Sequence, residues 1–268
     1  MNAKILNLNG EVTKDIVLPK QFSEPIRNDI IKKVVLAIES NSRQPYGAKK
    51  QAGMRQSAEL SRRRRKYRGA YGIGISRVPR KIFSRRGTRM NWAGAVAPGT
   101  VGGRKAHPPK NEKNWTKKIN IKENKKAIRS ALAACVNKDI VKQRGHLAPD
   151  NYPLIIEKNF QEIDKTKKVK DILKKIKLEP ELKRCVIKTV RAGKGKARGR
   201  KYKKKTGPLI IVSEKCKLVD SARNIPGIDI IDIKNINAKL LAPGTAPGRL
   251  TIFTESAIEK LEKEKLFI

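Results

Sequence analysis

The sequence predicts a layered, Rossmann-like α/β domain with a mainly parallel sheet, interrupted by one long internal extended arm. Three observations carry this reading. Apolar runs of strand length, Pro153–Glu157, Pro208–Val212 and Gly227–Ile233, alternate with stretches of helical period. Such near-continuous apolar strands belong to sheets covered by helices on both faces. Residues 43 to 110 show no apolar period at all, and hold 19 Lys or Arg, one acid (Glu59), 10 Gly and 5 Pro. Finally, 64 basic and 24 acidic residues give a net charge of +40 over 268 residues. An excess of that size calls for a polyanionic partner. The expected division is a single domain from 1–42 and 111–268, with 43–110 inserted into it.

The elements follow in order. Lys4 to Leu8 alternates weakly as a first strand, Gly10 marks a turn, and Val12 to Leu18 forms a second. Ser23 is the expected cap of a first helix, with Pro25 in its first turn. Ile26, Ile30, Ile31, Val34, Val35 and Ile38 then recur at helical spacing, and the helix ends near Ser40. After the arm, Ala127, Ile128, Ala131, Leu132 and Cys135 mark a second helix, with Gly145 as a breaker further on. Val169, Ile172, Leu173 and Ile176 are the stripe of a third, whose lysines read as a solvated face. Leu218, Val219 and Ala222 mark a short helix, residues 242 to 248 a loop, and Leu250 to Phe253 a strand. Ser256 with Glu259 has the spacing of a capping box opening the last helix.

The arm cannot bury a core of its own, because it has too little apolar surface to offset its ordering entropy. A merely solvating insertion lacks aromatics, whereas this one interleaves Tyr46, Tyr67, Tyr71, Phe83 and Trp92 with its cations. Arg pairs bidentately with phosphate, Gly admits close backbone approach, and rings stack on unpaired bases. Within the arm, Arg62 to Met90 shows neither helical nor strand period. A second basic block, Lys188 to Gly207, holds ten basic residues and no acid.

Catalytic patterns are missing. Gly72-x-Gly74 has Arg77 at the third glycine position, so the dinucleotide fingerprint fails. Arg191-Ala-Gly-Lys-Gly-Lys196 departs from a phosphate loop, with Val190 and Ala197 at required Gly and Ser/Thr places. His107 and His146 sit in no metal-binding or triad-like spacing. Cys135, Cys185 and Cys216 form no Cys-x-x-Cys pair, and a reducing compartment is expected. No metal, cofactor, small-molecule substrate or membrane partner is expected. No apolar run approaches a membrane span, and the start lacks a signal-peptide pattern. An α/β enzyme acting on nucleic acid, with the arm as tether, is the rival reading, and a DNA-compacting protein is a third.

Four stretches resemble one family. They are Arg43-Gln-Pro-Tyr-Gly47 running into Ala52-Gly53 and Ser57-Ala-Glu59; Arg77-Val-Pro-Arg80 followed by Gly102-Gly-Arg-Lys-Ala-His-Pro-Pro109; Arg191–Lys196; and Asn224-Ile-Pro-Gly227 with Leu241-Ala-Pro-Gly244 and Thr254-Glu-Ser-Ala257. The chain is similar in these to the large-subunit ribosomal protein L-four family, in its archaeal and eukaryotic branch. Its end at Ile268, without the long eukaryotic extension, favours an archaeal source.

The resemblance implies a structural ribosomal constituent in the cytoplasm. Its partners would be large-subunit ribosomal RNA (rRNA), neighbouring large-subunit proteins and the nascent polypeptide at the exit tunnel. The rRNA-binding residues would be Arg43, Tyr46, Lys49, Lys50, Arg55, Arg62, Arg63, Arg64, Arg65, Lys66, Arg68, Arg77, Arg80, Lys81, Arg85, Arg86, Arg89, Trp92, Arg104, Lys105 and His107 of the arm. From the second block come Arg191, Lys194, Lys196, Arg198 and Arg200. By matching position the tunnel tip would lie within Arg62 to Met90, with Tyr67, Tyr71 and Phe83 at it. Half the arm at about 3.3 Å per residue gives an upper reach near ~110 Å.

Overall fold

Alternate residues of each central strand pack into opposite layers, and this defines the architecture. The computed structural model describes residues 2–268. The chain divides into two compact units, Met1–Ser42 with Thr116–Ile268, and Arg43–Trp115.

The first unit is built on a six-stranded sheet. Its strands are β1 (Asn2–Leu6), β2 (Val12–Val17), β5 (Leu154–Ile156), β8 (Leu209–Val212), β9 (Asp229–Asp232) and β10 (Thr251–Thr254), counting through the chain. Their spatial order is β2-β1-β5-β10-β8-β9. Only β1 and β2 pair antiparallel; β1, β5, β10, β8 and β9 run parallel. The mainly parallel α/β expectation therefore holds.

Helices cover both faces. Ile155, Leu209, Ile211 and Phe253 point into one layer, with α1 (Asn28–Asn41), α2 (Ile121–Val136), α7 (Ala238–Leu241) and α8 (Glu255–Lys263). Leu154, Ile156, Ile210, Val212 and Ile252 point into the other, with α4 (Thr166–Lys175) and α6 (Lys217–Ala222). Burial on both sides is why these strands read as unbroken apolar runs. Cys135 is fully buried in the first layer. The lysines of α4 are exposed, while Val169, Ile172 and Leu173 are buried. Two further helices, α3 (Lys138–Gln143) and α5 (Glu179–Val186), complete the unit.

Two expected caps are corrected. Ser23 lies in a 3-10 turn, Lys20–Ser23, and α1 starts later, after Arg27. Pro25 disfavours helical backbone at the preceding residue, and Glu24 is extended (φ −67°, ψ 140°). The Arg27 backbone N–H instead donates to Ser130 Oγ at 2.7 Å, and that hydroxyl donates to the Pro25 carbonyl at 3.0 Å. Likewise α8 starts at Glu255, ahead of the supposed capping box. Gln161 donates to Ser256 Oγ at 2.5 Å, and Glu259 pairs with Lys158 at 3.0 Å. Long-range partners took both side chains from the local motif.

The Arg43–Trp115 unit carries a hairpin, β3 (Arg80–Arg86) with β4 (Arg89–Gly94). This overturns the expectation that the segment to Met90 lacks strand structure. Met90, Trp92 and Gly94 do alternate with the exposed Arg89, Asn91 and Ala93, but the charges hide the period. The strands join at Gly87-Thr88, where Gly87 has φ +55°, as two-residue hairpin loops require. Ala70 and Ala95 are buried, so this unit is not without internal packing.

Candidate nucleic-acid interface

Within the Arg43–Trp115 unit, the outgoing and returning chains lie against each other. Ala48 N–H donates to the Pro109 carbonyl at 2.9 Å, and Gln56 Nε2 donates to the Gly102 carbonyl at 3.1 Å. A Cβ on Gly53 would meet Arg104 N at 2.4 Å, so no side chain fits between the strands there. Tyr46 stacks on Trp115 with centroids 5.8 Å apart, and the Arg43 guanidinium lies 3.9 Å over the Trp115 ring. Lys113 approaches the same ring at 4.4 Å. These are cation–π geometries that leave the charge available to an anion.

The run Arg62–Lys66 is exposed along its whole length. Arg65 and Arg68 adopt left-handed backbone, φ +54° and +60°. Glu59 pairs with Arg68 at 2.8 Å. Arg85 donates to Tyr67 Oη at 2.8 Å, which holds the phenol below its ordinary pKa. Arg85 and Arg68 also flank the Tyr67 ring, at 5.3 and 5.4 Å.

Arg80 differs from the other cations of this unit. It is buried, donates to the Val78 carbonyl at 3.2 Å and to Ser76 Oγ at 3.0 Å, and lies 5.3 Å over Trp92. Its guanidinium is committed to the protein. Lys81 and Arg68 are partly covered. Arg43, Lys49, Lys50, Arg55, Arg62–Lys66, Arg77, Arg85, Arg86, Arg89, Arg104, Lys105 and His107 are all exposed. Tyr67, Tyr71 and Phe83 are exposed as well, Phe83 at the point where the β3–β4 register shifts.

The second basic block is also a hairpin, β6 (Lys188–Val190) with β7 (Tyr202–Lys204). Arg191 closes its loop, donating from Nε to the Arg200 carbonyl at 3.1 Å. Gly199, φ +77°, ends the 3-10 turn Lys196–Arg198. Lys194, Lys196, Arg198 and Arg200 are left exposed.

Sequence reasoning missed a buried network behind this hairpin. His146 Nδ1 lies 2.7 Å from Glu181 Oε1, and Arg184 donates to both Glu181 oxygens, at 2.6 and 2.8 Å. Arg184 also donates to the Thr206 carbonyl at 2.7 Å, at the foot of β7. The 35 residues between His146 and Glu181 left no local signal. Trp115, five residues past the expected arm, was missed for the same reason; its stacking partner is Tyr46.

Among the described residues, no group of three or more His, Cys, Asp or Glu side chains is placed to hold a metal. No helix among them is long and apolar enough to cross a membrane. What these segments present is a field of mostly exposed guanidinium and ammonium groups set beside aromatic faces. That defines an α/β protein whose surface is chemically matched to a polyanion with stacking groups. The sequence carries the family model of the ribosomal protein L4/L1 family over residues 16–264, and the chain belongs to that family. It is 47% identical to large ribosomal subunit protein uL4 of Nanoarchaeum equitans over 268 residues, covering 100% of both chains. It is 43% identical to the uL4 of Archaeoglobus fulgidus, over 97% of this chain and 98% of that one. The uL4 of Methanocaldococcus jannaschii is 43% identical over 98% of this chain and 99% of its own.

Proposed function

We propose that this chain is a structural constituent of the large ribosomal subunit, in the cytoplasm, and that it binds large-subunit rRNA without catalysing a reaction. Family membership and full-length similarity to proteins named for that subunit support the reading. The observation that carries the binding mode is charge without compensation. The Arg43–Trp115 unit has two acids, Glu59 and Glu112, against some twenty cations, and such an array repels itself until phosphates lie beside it.

Residues 43–110 act as an extended arm inserted into rRNA. Its exposed Arg and Lys hold phosphates, and Tyr46 with Trp92 offers ring faces to unpaired bases. Arg62 to Met90 forms the tip, with Tyr67, Tyr71 and Phe83 towards the nascent-peptide exit tunnel. Lys194, Lys196, Arg198 and Arg200 make a second, independent contact. Neighbouring large-subunit proteins and the nascent chain complete the set of partners.

Sedimentation of cell lysate tests this. The chain should co-migrate with the large subunit through a low-magnesium wash that splits the two subunits. A predominantly free pool with activity on nucleic acid would replace this reading with the enzymatic one.

A further inference from the structure

The α/β unit has a concavity of about 520 Å³ at the root of the β6–β7 hairpin. Lys188, Lys204, Lys205 and Thr206 line it from the hairpin, and Arg223 and Asn224 line it from the turn after α6. Lys188 and Lys204 are direct cross-strand partners. Like charges in that relation destabilise a ladder. The one carboxylate lining the concavity, Asp229, accepts from the buried Arg249 guanidinium and is already neutralised. Four cations therefore converge with no internal anion to offset them.

The floor of this concavity is rigid. Gly207 N–H donates to the Gly227 carbonyl at 3.0 Å, tying the hairpin's foot to the Asn224–Gly227 turn. A Cβ on Gly207 would meet Cys185 Sγ at 2.5 Å, and one on Gly227 would meet Cys185 Cβ at 2.7 Å. Both segments are thus seated directly on α5. Arg184, locked by Glu181, holds the Thr206 carbonyl from behind at 2.7 Å. The cations are presented by a fixed backbone frame, so the ordering entropy lost on engaging a ligand is confined to their side chains.

We propose that Lys188, Lys204, Lys205 and Arg223 form a phosphodiester-binding pocket that grips one backbone segment of RNA, separate from the contacts of the hairpin loop and of residues 43–110. The inference rests on the reading above that the chain binds large-subunit rRNA. Asn224 and Thr206 add neutral hydrogen-bonding groups at the rim, suited to a sugar hydroxyl beside the phosphate.

Amine acylation of the full chain, read by mass spectrometry in phosphate-free buffer, tests the pocket. Bound large-subunit rRNA should lower the reactivity of Lys188, Lys204 and Lys205 several-fold. The Lys204→Gln/Arg223→Gln variant should still bind rRNA, with a salt slope smaller by roughly 0.7–0.9 for each phosphate lost. Its melting temperature should be equal or higher, since a like-charge pair is gone. If wild-type protein binds rRNA while the three lysines stay fully reactive and the slope is unchanged, the pocket is refuted and the rRNA reading stands. If wild-type protein fails to bind rRNA, both fall. Protection by inorganic phosphate but not by RNA would overturn RNA as the source of the phosphate.

Discussion

His146 and Glu181 form a buried pair, Nδ1 to Oε1 at 2.7 Å, with side-chain exposures of 4% and 0%. Burial works against the Glu181 carboxylate, but hydrogen bonds from Arg184, His146 and the Leu147 backbone N–H outweigh it and hold the carboxyl at about 2. The folded value lies below the ordinary 4.5. Its stabilisation is therefore complete above about pH 4.5 and fades as pH falls towards about 2. Glu181→Gln should lose about 3 kcal/mol at neutral pH, because the partly covered Arg184 guanidinium and the buried His146 ring lose the carboxylate they bond. Urea unfolding at several pH values should show the wild-type advantage shrinking across that acid window. A variant deficit that stays constant from pH 5 to pH 2 would contradict the assignment.

A second prediction concerns the contact between Gly207 and Cys185. Because a Cβ on Gly207 would lie 2.5 Å from Cys185 Sγ and 2.8 Å from the Gly227 carbonyl, Gly207→Ala overpacks the junction. The expected cost is about 2 kcal/mol. Cys185→Ala should restore part of it, since one of the two obstructing atoms is removed. Thermal unfolding of the two single variants and the double variant reads this coupling directly. Strict additivity would show that the hairpin's foot does not rest on α5.

The core was legible and much of the interface frame was not, for a physical reason. Leu154, Ile155 and Ile156 are consecutive and all buried, so the run itself announces a strand between two layers. The chain's charge likewise announces an anionic partner. Caps and networks depend on who arrives from elsewhere. Ser256 had the right local spacing, but Gln161, 95 residues away, occupies it. The β3–β4 hairpin was obscured because its exposed positions carry Arg and its partly covered positions include Met90 and Trp92. Its period is therefore real but not strongly apolar. Lys188 opposite Lys204 cannot be seen before the β6–β7 register is known.

Arg80 and Arg86 bracket the same strand and should behave differently. Arg86 is exposed, so Arg86→Ala should leave the hairpin intact and reduce only the salt slope of RNA binding, by roughly 0.7–0.9. Arg80 covers Trp92 and is bonded to Ser76 and Val78. Arg80→Ala should expose the indole. In a Trp115→Phe background the remaining tryptophan emission should shift to the red for Arg80→Ala and not for Arg86→Ala. Equal spectra for the two would mean that Arg80 is a surface cation like its neighbours.

The last prediction separates Arg62–Met90, the proposed tip, from the fold. Both apolar clusters of the α/β unit draw only on residues before Arg43 and after Trp115. Replacing Arg62–Met90 by a short Gly/Ser linker removes β3 and the start of β4, yet takes no side chain from those clusters. The melting temperature of the α/β unit should change little. Trypsin acting on wild-type protein without RNA should cut first among the exposed Arg62–Arg65, and rRNA should protect that run. Bulk affinity should persist in the deletion variant, because the remaining arm cations and the β6–β7 block still neutralise many phosphates. Incorporation into large subunits should therefore survive, with altered passage of nascent chains as the specific defect. If the variant neither folds nor incorporates, the tip is an organising element of the whole chain, and the separable role argued from its exposure is wrong.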